Sequence, residues 1–278
     1  MNKYSEFYRG VFDTSPLVLA AVPFGIIFGA LAISIGLSPL VTILMSLFVF
    51  AGASQFIAIS LFASGSSLTV ILLAVFFVNL RHMLYSINLM PHVYEFSQKY
   101  RILMAFWLTD ETFAVVSKFI EKKRFKSEFM FYYFGSSLTM YIVWAICTAI
   151  GIFLGRIANF INGELYGKVT ILPWGVIFPN AGNAPRHPSQ IYEAMLEGVI
   201  LFLIINYLAL KKELLYKTGY VSAIFLIFYS IFRIFSESFR EPDIQLGLLF
   251  NYFSMGTILS LLTIIFGLFV ILSIKKNE

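Results

Sequence analysis

The sequence predicts an all-α, polytopic transmembrane protein of about eight spans. Two observations carry this. The 278 residues are 59% hydrophobic and only 13% charged, whereas soluble domains carry roughly a quarter charged residues. The apolar residues also fall in long blocks, and a helix needs about 20 of them to cross the hydrocarbon core.

The first block covers Pro16–Gly36, where Pro23-Phe24-Gly25 is a candidate break, and the second covers Pro39–Ala63. The third, Leu68–Met90, is interrupted by Asn79, Arg81 and His82, and the fourth, Ile102–Phe119, carries Asp110 and Glu111. The fifth is Phe129–Leu154, followed by a polar, Gly- and Pro-containing stretch over Gly155–Gln190. The last three are Ile191–Leu210, Val221–Ser236 and Tyr252–Ile274. No internal repeat is visible, and the charged start, Met1–Asp13, reads as no cleavable signal peptide.

The net charge of +5 is a matter of topology rather than of nucleic-acid binding, because the basic residues sit in short loops. With Lys122, Lys123, Arg124 and Lys126, then Lys211, Lys212 and Lys217, then Lys275 and Lys276 all cytoplasmic, both termini are cytoplasmic too. The Lys99 and Arg101 loop runs against this pattern. Gly155–Gln190 and Arg240–Asp243 then share the outer face of a bacterial inner membrane. The single cysteine, Cys147, lies in an apolar block, so there is no disulfide framework and it reads as a packing residue. No metal-ligand pattern and no cofactor motif occur.

Polar residues are densest in the C-terminal half. Gly155-Arg156-Ile157-Ala158-Asn159-Phe160-Ile161-Asn162-Gly163-Glu164-Leu165-Tyr166-Gly167 begins at the end of an apolar block. Such groups at membrane depth are costly unless they pair or line a wet cavity. Arg186-His187-Pro188-Ser189-Gln190 follows, then Glu193 and Glu197 at helical spacing, then Arg233, Glu237 and Arg240-Glu241-Pro242-Asp243. Arg233 and Glu237 are four apart and share a helix face. Arginine's planar fork suits phosphate oxygens, so an anionic headgroup fits this set. The alternative is a set of structural ion pairs that hold helix ends at the interface.

These blocks resemble the prolipoprotein diacylglyceryl transferase family, with its pattern complete at Gly155, Arg156, Asn159, Phe160, Asn162, Glu164 and Gly167. The resemblance runs from about Gly155 through Ser254-Met255-Gly256; Thr257 departs from the family's usual glutamine. It implies transfer of diacylglycerol from phosphatidylglycerol to the cysteine thiol of a prolipoprotein signal peptide. Arg156 and Arg233, with Arg240 secondary, would neutralise the glycerol-phosphate leaving group. Asn159, Asn162, Glu164 and Gly167 would shape the headgroup site, and Glu237 would orient Arg233. The thiol must be deprotonated. His187 is a candidate base, with an interfacial hydrogen-bonding residue as the alternative. The family's His-Gly-Gly motif on an earlier helix has no counterpart here.

In the N-terminal half, Phe50-Ala51-Gly52-Ala53-Ser54-Gln55-Phe56, Asn79-Leu80-Arg81-His82 with Tyr85, and Leu108-Thr109-Asp110-Glu111-Thr112-Phe113 lie inside apolar blocks. Adjacent carboxylates in an apolar helix should find Arg81 or His82 or line an aqueous path. Small and helix-breaking residues at mid-membrane suit a transport pathway; Gly25 and Gly29 read instead as packing residues. With Gly36-Leu37-Ser38-Pro39 and Pro91-His92, these blocks resemble the AzlC family, the large subunit of branched-chain amino-acid exporters, over about Phe7–Leu154. That resemblance implies a transport pathway through Arg81, His82, Asp110 and Glu111 and a small AzlD-like partner subunit.

The chain therefore reads as a fusion of two truncated families, residues 1–154 and 155–278. The expected function is diacylglyceryl transfer, impaired by the truncation. The alternatives are an exporter subunit and a chimera in which neither activity survives.

Overall fold

The computed structural model describes residues 3–120, 126–211, 219–241 and 252–277. Pro242, Asp243 and the basic residues Lys122, Lys123, Arg124, Lys212 and Lys217 lie outside them. The described residues are all-α apart from short bridged segments. Their helices are α1 (Lys3–Ser34), α2 (Pro39–Phe48), α3 (Gly52–Ala63), α4 (Leu68–Val93), α5 (Gln98–Phe106), α6 (Asp110–Ile120), α7 (Lys126–Asn162), α8 (Ser189–Glu193), α9 (Leu201–Lys211), α10 (Tyr220–Phe239) and α11 (Met255–Asn277). A π-helical stretch, Ala194–Ile200, joins α8 to α9.

Six of these segments are long and apolar enough to cross a membrane, not eight: Tyr4–Ser34, Leu68–Val93, Glu128–Asn162, Ser189–Ala209, Tyr220–Phe239 and Met255–Ile274. The expected second and fourth spans are each broken in two. At 1.5 Å per residue, the ten residues of α2 reach only about 15 Å, half of the roughly 30 Å hydrocarbon core. The nine residues of α5 and the eleven of α6 likewise reach only about 14 and 17 Å. The break between α2 and α3 runs through Phe50, whose φ of 39° is rare for a residue with a Cβ. Conversely, Pro23-Phe24-Gly25 does not break α1, which carries Pro16 and Pro23 within one continuous helix. Asn79, Arg81 and His82 do not interrupt α4.

The surface is inverted relative to a water-soluble protein. Leu72, Phe76, Phe77, Leu84 and Ile87 of α4 are exposed, and so are Leu262, Ile265 and Phe269 of α11. Thr14, Thr42, Ser46, Gln55, Thr112 and Ser136 are fully buried. A bilayer rewards this arrangement, because hydrocarbon solvates the apolar side chains and polar groups must find protein partners.

The helices divide into two compact units, Met1–Ile152 and Phe153–Glu278. In the first, α1 lies along the first part of α7 on a run of glycines. A Cβ at Gly10 would strike the backbone of Tyr132 and Ser136, and one at Gly135 the backbone of Phe7. Further along, Gly29 abuts Thr148 and Gly151, and Gly25 abuts the Cβ of Cys147. Small residues let helix backbones approach where lipid supplies no hydrophobic drive. Thr14 Oγ1 donates to Ser136 Oγ (2.7 Å) across the same contact. A larger core gathers Leu89, Met104, Leu108, Val115, Val116, Phe119, Phe129, Tyr132 and Tyr133 from α4 to α7. In the second unit, α8, the π stretch and α9 pack on α10, and α10 packs along α11. Gly267 of α11 sits against Ile227 and the Ala223 carbonyl of α10.

The basic-loop pattern sets a testable topology. Asn183 is exposed in the segment between α7 and α8. In a Cys147→Ala background, a cysteine placed at Asn183 should react with an impermeant maleimide added outside the inner membrane. Reaction only from the cytoplasmic side would reverse the assigned orientation.

Candidate functional site: a buried arginine and glutamate network

The last turns of α7 carry Arg156 and Asn159 inward. The helix then ends in a glycine cap. Gly163 adopts φ 69°, its N–H reaches the Phe160 carbonyl (3.2 Å), and the Glu164 N–H reaches the Asn159 carbonyl (2.9 Å). This is the left-handed ending that glycine permits without a Cβ penalty. It directs the Asn162 and Glu164 side chains outward, and both are exposed.

The chain beyond the cap is pinned by backbone bridges that pair Gly167 with Arg240 and Arg186 with both Val169 and Val176. Gly167 donates its N–H to the His187 carbonyl (2.9 Å) and has no room for a Cβ beside His187 and Phe239. Its place in the motif is thus a backbone requirement. Gln190 Nε2 donates to the Glu164 carbonyl (2.5 Å), and Ser189 Oγ to the Leu165 carbonyl (3.2 Å), tying α8 to the same turn.

The centre is Glu193 at the end of α8, whose side chain is 2% exposed. Its carboxylate takes Arg156 Nη2 at 2.7 Å, Arg233 Nη1 at 3.1 Å and Arg240 Nη1 at 3.7 Å. Arg233 also meets Glu237 (2.7 Å) and Glu197 (3.5 Å), and Ser236 Oγ donates to Glu197 (3.0 Å). Gly256 of α11 presses on the Glu237 carboxyl group, which a side chain there would displace. The π turn begins at Ala194, so Glu193 and Glu197 flank its start and face the same arginine. Such turns are frequent at functional sites.

Three arginines and three glutamates balance one another within this buried set. Four polar atoms in and beside it have neither a hydrogen-bond nor an ion-pair partner among the described residues: Arg156 Nε, Asn159 Nδ2, Glu197 Oε2 and Gln190 Oε1. The first two are donors. Asn159 is 1% exposed and Arg156 3%.

Of the residues singled out from the sequence, Arg156, Arg233, Glu237 and Arg240 come together here, with Asn159 beside them on α7. Asn162 and Glu164 do not, because their side chains are exposed. Neither does His187, whose Nδ1 lies 3.2 Å from Tyr192 Oη and whose ring packs on Phe239. Burial, and then the Lys168 charge, push the His187 pKa below its ordinary value. The imidazole is therefore neutral near pH 7 and a weaker base than a solvent-exposed histidine. Since the folded-state value is depressed, His187 costs stability as pH falls below the ordinary histidine range. Arg186 pairs with Glu241 (2.9 Å) and lies over the Tyr166 ring. The residues missed as site members are Glu193, the hub, and Glu197. The four-residue spacing between them was visible, but the three arginine partners of Glu193 come from other helices.

In the first unit, Arg81 of α4 pairs with Asp110 at the start of α6. His82 Nδ1 lies 3.2 Å from the Asn79 carbonyl, and Ser54 Oγ donates to Asn79 Oδ1 (2.6 Å). Glu111 is half-buried on α6. Among the described residues no group of three or more His, Cys, Asp or Glu could hold a metal ion.

Known families account for both units. Residues 16–158 match the AzlC protein family, and residues 129–273 match the prolipoprotein diacylglyceryl transferase family. The chain belongs to both families. The two matches overlap over residues 129–158, inside α7. Among curated proteins, the phosphatidylglycerol–prolipoprotein diacylglyceryl transferase of Rickettsia felis is 48% identical over 157 residues, 56% of this chain and 58% of that protein. Those of Rickettsia typhi (47% over 163 residues, 59% and 60%) and Rickettsia bellii (48% over 158 residues, 57% and 57%) are similar. The chain thus spans less than two thirds of these relatives' length. No solved structure is significantly similar to it.

The network predicts an asymmetry between two acidic residues. Glu193→Gln leaves Arg156 and Arg233 short of a buried counter-charge and should cost about 3–5 kcal/mol. Glu164→Gln, at an exposed position, should cost within about 0.5 kcal/mol. Thermal unfolding in detergent would compare the two, and equal small shifts would show that Glu193 is not the hub.

Proposed function

We propose that this multi-pass membrane protein resides in a bacterial inner membrane. Its C-terminal half binds phosphatidylglycerol and acts on it as a diacylglyceryl transferase. The observation that carries the reading is the pair of unfilled donors, Arg156 Nε and Asn159 Nδ2, beside a charge-balanced network in the part of the chain that belongs to the transferase family. A phosphate oxygen is the acceptor these donors lack. The arginines are already held by carboxylates, so an incoming headgroup meets a site organised in advance rather than loose cations.

In the proposed reaction, the thiolate of a prolipoprotein signal-peptide cysteine attacks the terminal glycerol carbon of the diacylglyceryl group. A carbon–sulfur bond forms, the carbon–oxygen bond to phosphate breaks, and glycerol phosphate leaves with the electron pair. Arg156 and Asn159 would bind the leaving phosphate, with Arg233, positioned by Glu237, and Arg240 supporting it. His187 would take the thiol proton. Asn162, Glu164 and Gly167 would frame the approach of the headgroup. The earlier His-Gly-Gly motif implied by the family has no counterpart in the sequence, and a positioned base contributes about 10²–10⁴-fold. The chain alone is therefore a slow transferase.

Native mass spectrometry tests the lipid step. Wild-type protein should retain phosphatidylglycerol over phosphatidylethanolamine. Arg156→Lys, which removes Nε, and Asn159→Asp, which turns the free donor into a repelling oxygen, should abolish that preference. A wild type with no preference, or variants that keep it, would remove the basis of the reading. The same preparations should lipidate a lipobox peptide only slowly.

A second reading is favoured by the two broken helices of the first unit, a device that transporters use to expose backbone groups at mid-membrane. It makes residues 1–154 an amino-acid export path involving Arg81, His82, Asp110 and Glu111, completed by a small AzlD-like subunit. Cells loaded with a leucine analogue should release it faster when the chain and that subunit are co-expressed, and Asp110→Asn should reduce the rate. No release with or without the subunit would exclude this reading.

A further inference from the structure

The directions of the long helices in the first unit decide where its short ones go. α1 and α7 run parallel: Gly10 lies against Tyr132 and Ser136, and Gly29, further on, against Thr148 and Gly151. α4 runs against both. His92, in its last turn, packs on Phe129 near the start of α7, and Phe96 just beyond packs on the same ring (each 6.4 Å between centroids). Midway along α4, Asn79 Oδ1 accepts from Ser54 Oγ (2.6 Å), and the neighbouring Gln55 accepts from Trp144 Nε1 (2.9 Å). Asn79 precedes His92 by thirteen residues, and Trp144 follows Phe129 by fifteen. About 20 Å of descent on α4 thus matches about 22 Å of ascent on α7.

α4 therefore ends at the membrane face where α1 and α7 begin, and it starts at the face where α1 ends. Between α1 and α4, the short helices α2 and α3 leave by the face they entered. Between α4 and α7, α5 and α6 do the same from the opposite face.

Contacts along α7 trace both excursions. Ser46 of α2 meets Thr148 (2.8 Å), the Leu47 carbonyl takes Tyr141 Oη (3.1 Å), and Phe50 packs on the Tyr141 ring (4.9 Å). α3 then starts back, with Gly52 resting on Trp144. From the other face, the Met104 carbonyl of α5 takes Tyr133 Oη (2.6 Å), and Trp107 reaches the Tyr141 ring (5.9 Å). α6 returns by way of Phe113, stacked on Tyr85 (4.4 Å), and Phe119, stacked on Tyr132 (4.2 Å). Both excursions turn at the level of Tyr141. Half-helices of about 15 Å reach the middle of a roughly 30 Å hydrocarbon core and no further.

The two excursions share one pattern. Ser38 is the N-cap of α2 and Ser97 that of α5. Five residues after each serine comes the same triplet, Ile43-Leu44-Met45 and Ile102-Leu103-Met104. α2 and α5 have ten and nine residues, α3 and α6 twelve and eleven, and each pair follows one long helix. This path also accounts for Lys99 and Arg101. They ran against the basic-loop pattern only if α2–α3 and α5–α6 each crossed the membrane; with two excursions they lie on the cytoplasmic face.

We infer that α1–α3 and α4–α6 form an inverted repeat, whose two re-entrant hairpins are opposed gates that close on Tyr141. Both tips are buried, at Phe50 and Ala51 in one hairpin and at Leu108 and Thr109 in the other. Non-helical backbone at this depth is tolerated only where protein buries it or where it lines a wet cavity. Inverted repeats let one half rock against the other and open a path to one face at a time. Each hairpin then guards the face it enters from. The gating deepens the export reading and rests on it, but the labelling that tests it measures no export, so each can fail alone.

Cysteine labelling on a Cys147→Ala background tests both parts. Ser34, at the end of α1, and Ser67 and Ser97, just before α4 and α5, are exposed. Ser34→Cys and Ser67→Cys should react with an impermeant maleimide from one side of the membrane, and Ser97→Cys only from the other. Labelling that groups Ser34 with Ser97, as eight crossings require, would overturn the repeat. At the tips, Ala51→Cys and Leu108→Cys should resist a small charged methanethiosulfonate from both sides. Adding Tyr141→Ala should admit the reagent to Ala51→Cys from the Ser34 side and to Leu108→Cys from the Ser97 side. Tyr141→Leu takes its place if the alanine variant does not unfold cooperatively. Tips that react before Tyr141 is changed, that stay sealed in a folded Tyr141 variant, or that both open to one side would overturn the gates.

Discussion

A polar group inside a bilayer has no water to fall back on, so each one must be met by protein. That constraint organises both units. In the second, Glu193 collects three arginines from α7, α10 and the turn after α10. In the first, Tyr133 and Tyr141 meet the carbonyls that the helix breaks release. Hydrogen bonds between membrane helices average only about 0.6 kcal/mol. A buried charge stripped of its partner costs several times more. The charge network is therefore what fixes how α7, α8 and α10 meet within their unit.

Among the buried polar atoms that depart from this rule, Arg156 Nε and Asn159 Nδ2 are donors beside a charge-balanced network. The ion pairs of Glu193 with Arg156 and Arg233 hold the neighbours of these two donors in place. Such pre-organisation is what lets a site recognise an anion without spending binding free energy on its own ordering.

Much of this was readable in the sequence. Apolar block length gives membrane helices, and the Gly155–Gly167 pattern singles out Arg156 and Asn159, but the fifth apolar block ends at Leu154 while α7 continues through the polar pattern to Asn162. Helical spacing correctly paired Arg233 with Glu237. The breaks were not readable. An apolar block reports how much of a segment lipid tolerates, not whether its backbone runs straight, so Pro39–Ala63 looked like one span. Phe50 adopts a positive φ with nothing in its identity to announce it, while Pro23 looked like a breaker and is held within a helix packed against α7. The central place of Glu193 depends on three partners distant in sequence, and the π turn that follows it has no local signature.

A double-mutant cycle between Arg156 and Glu193 tests the role of the buried network most directly. Arg156→Met and Glu193→Met should each destabilise the protein by several kcal/mol, because each strands the other's charge. Combined, they should cost much less than the sum, since an apolar pair needs no counter-charge. Additive losses would mean that the two residues do not depend on each other, and that the network does not hold the unit together.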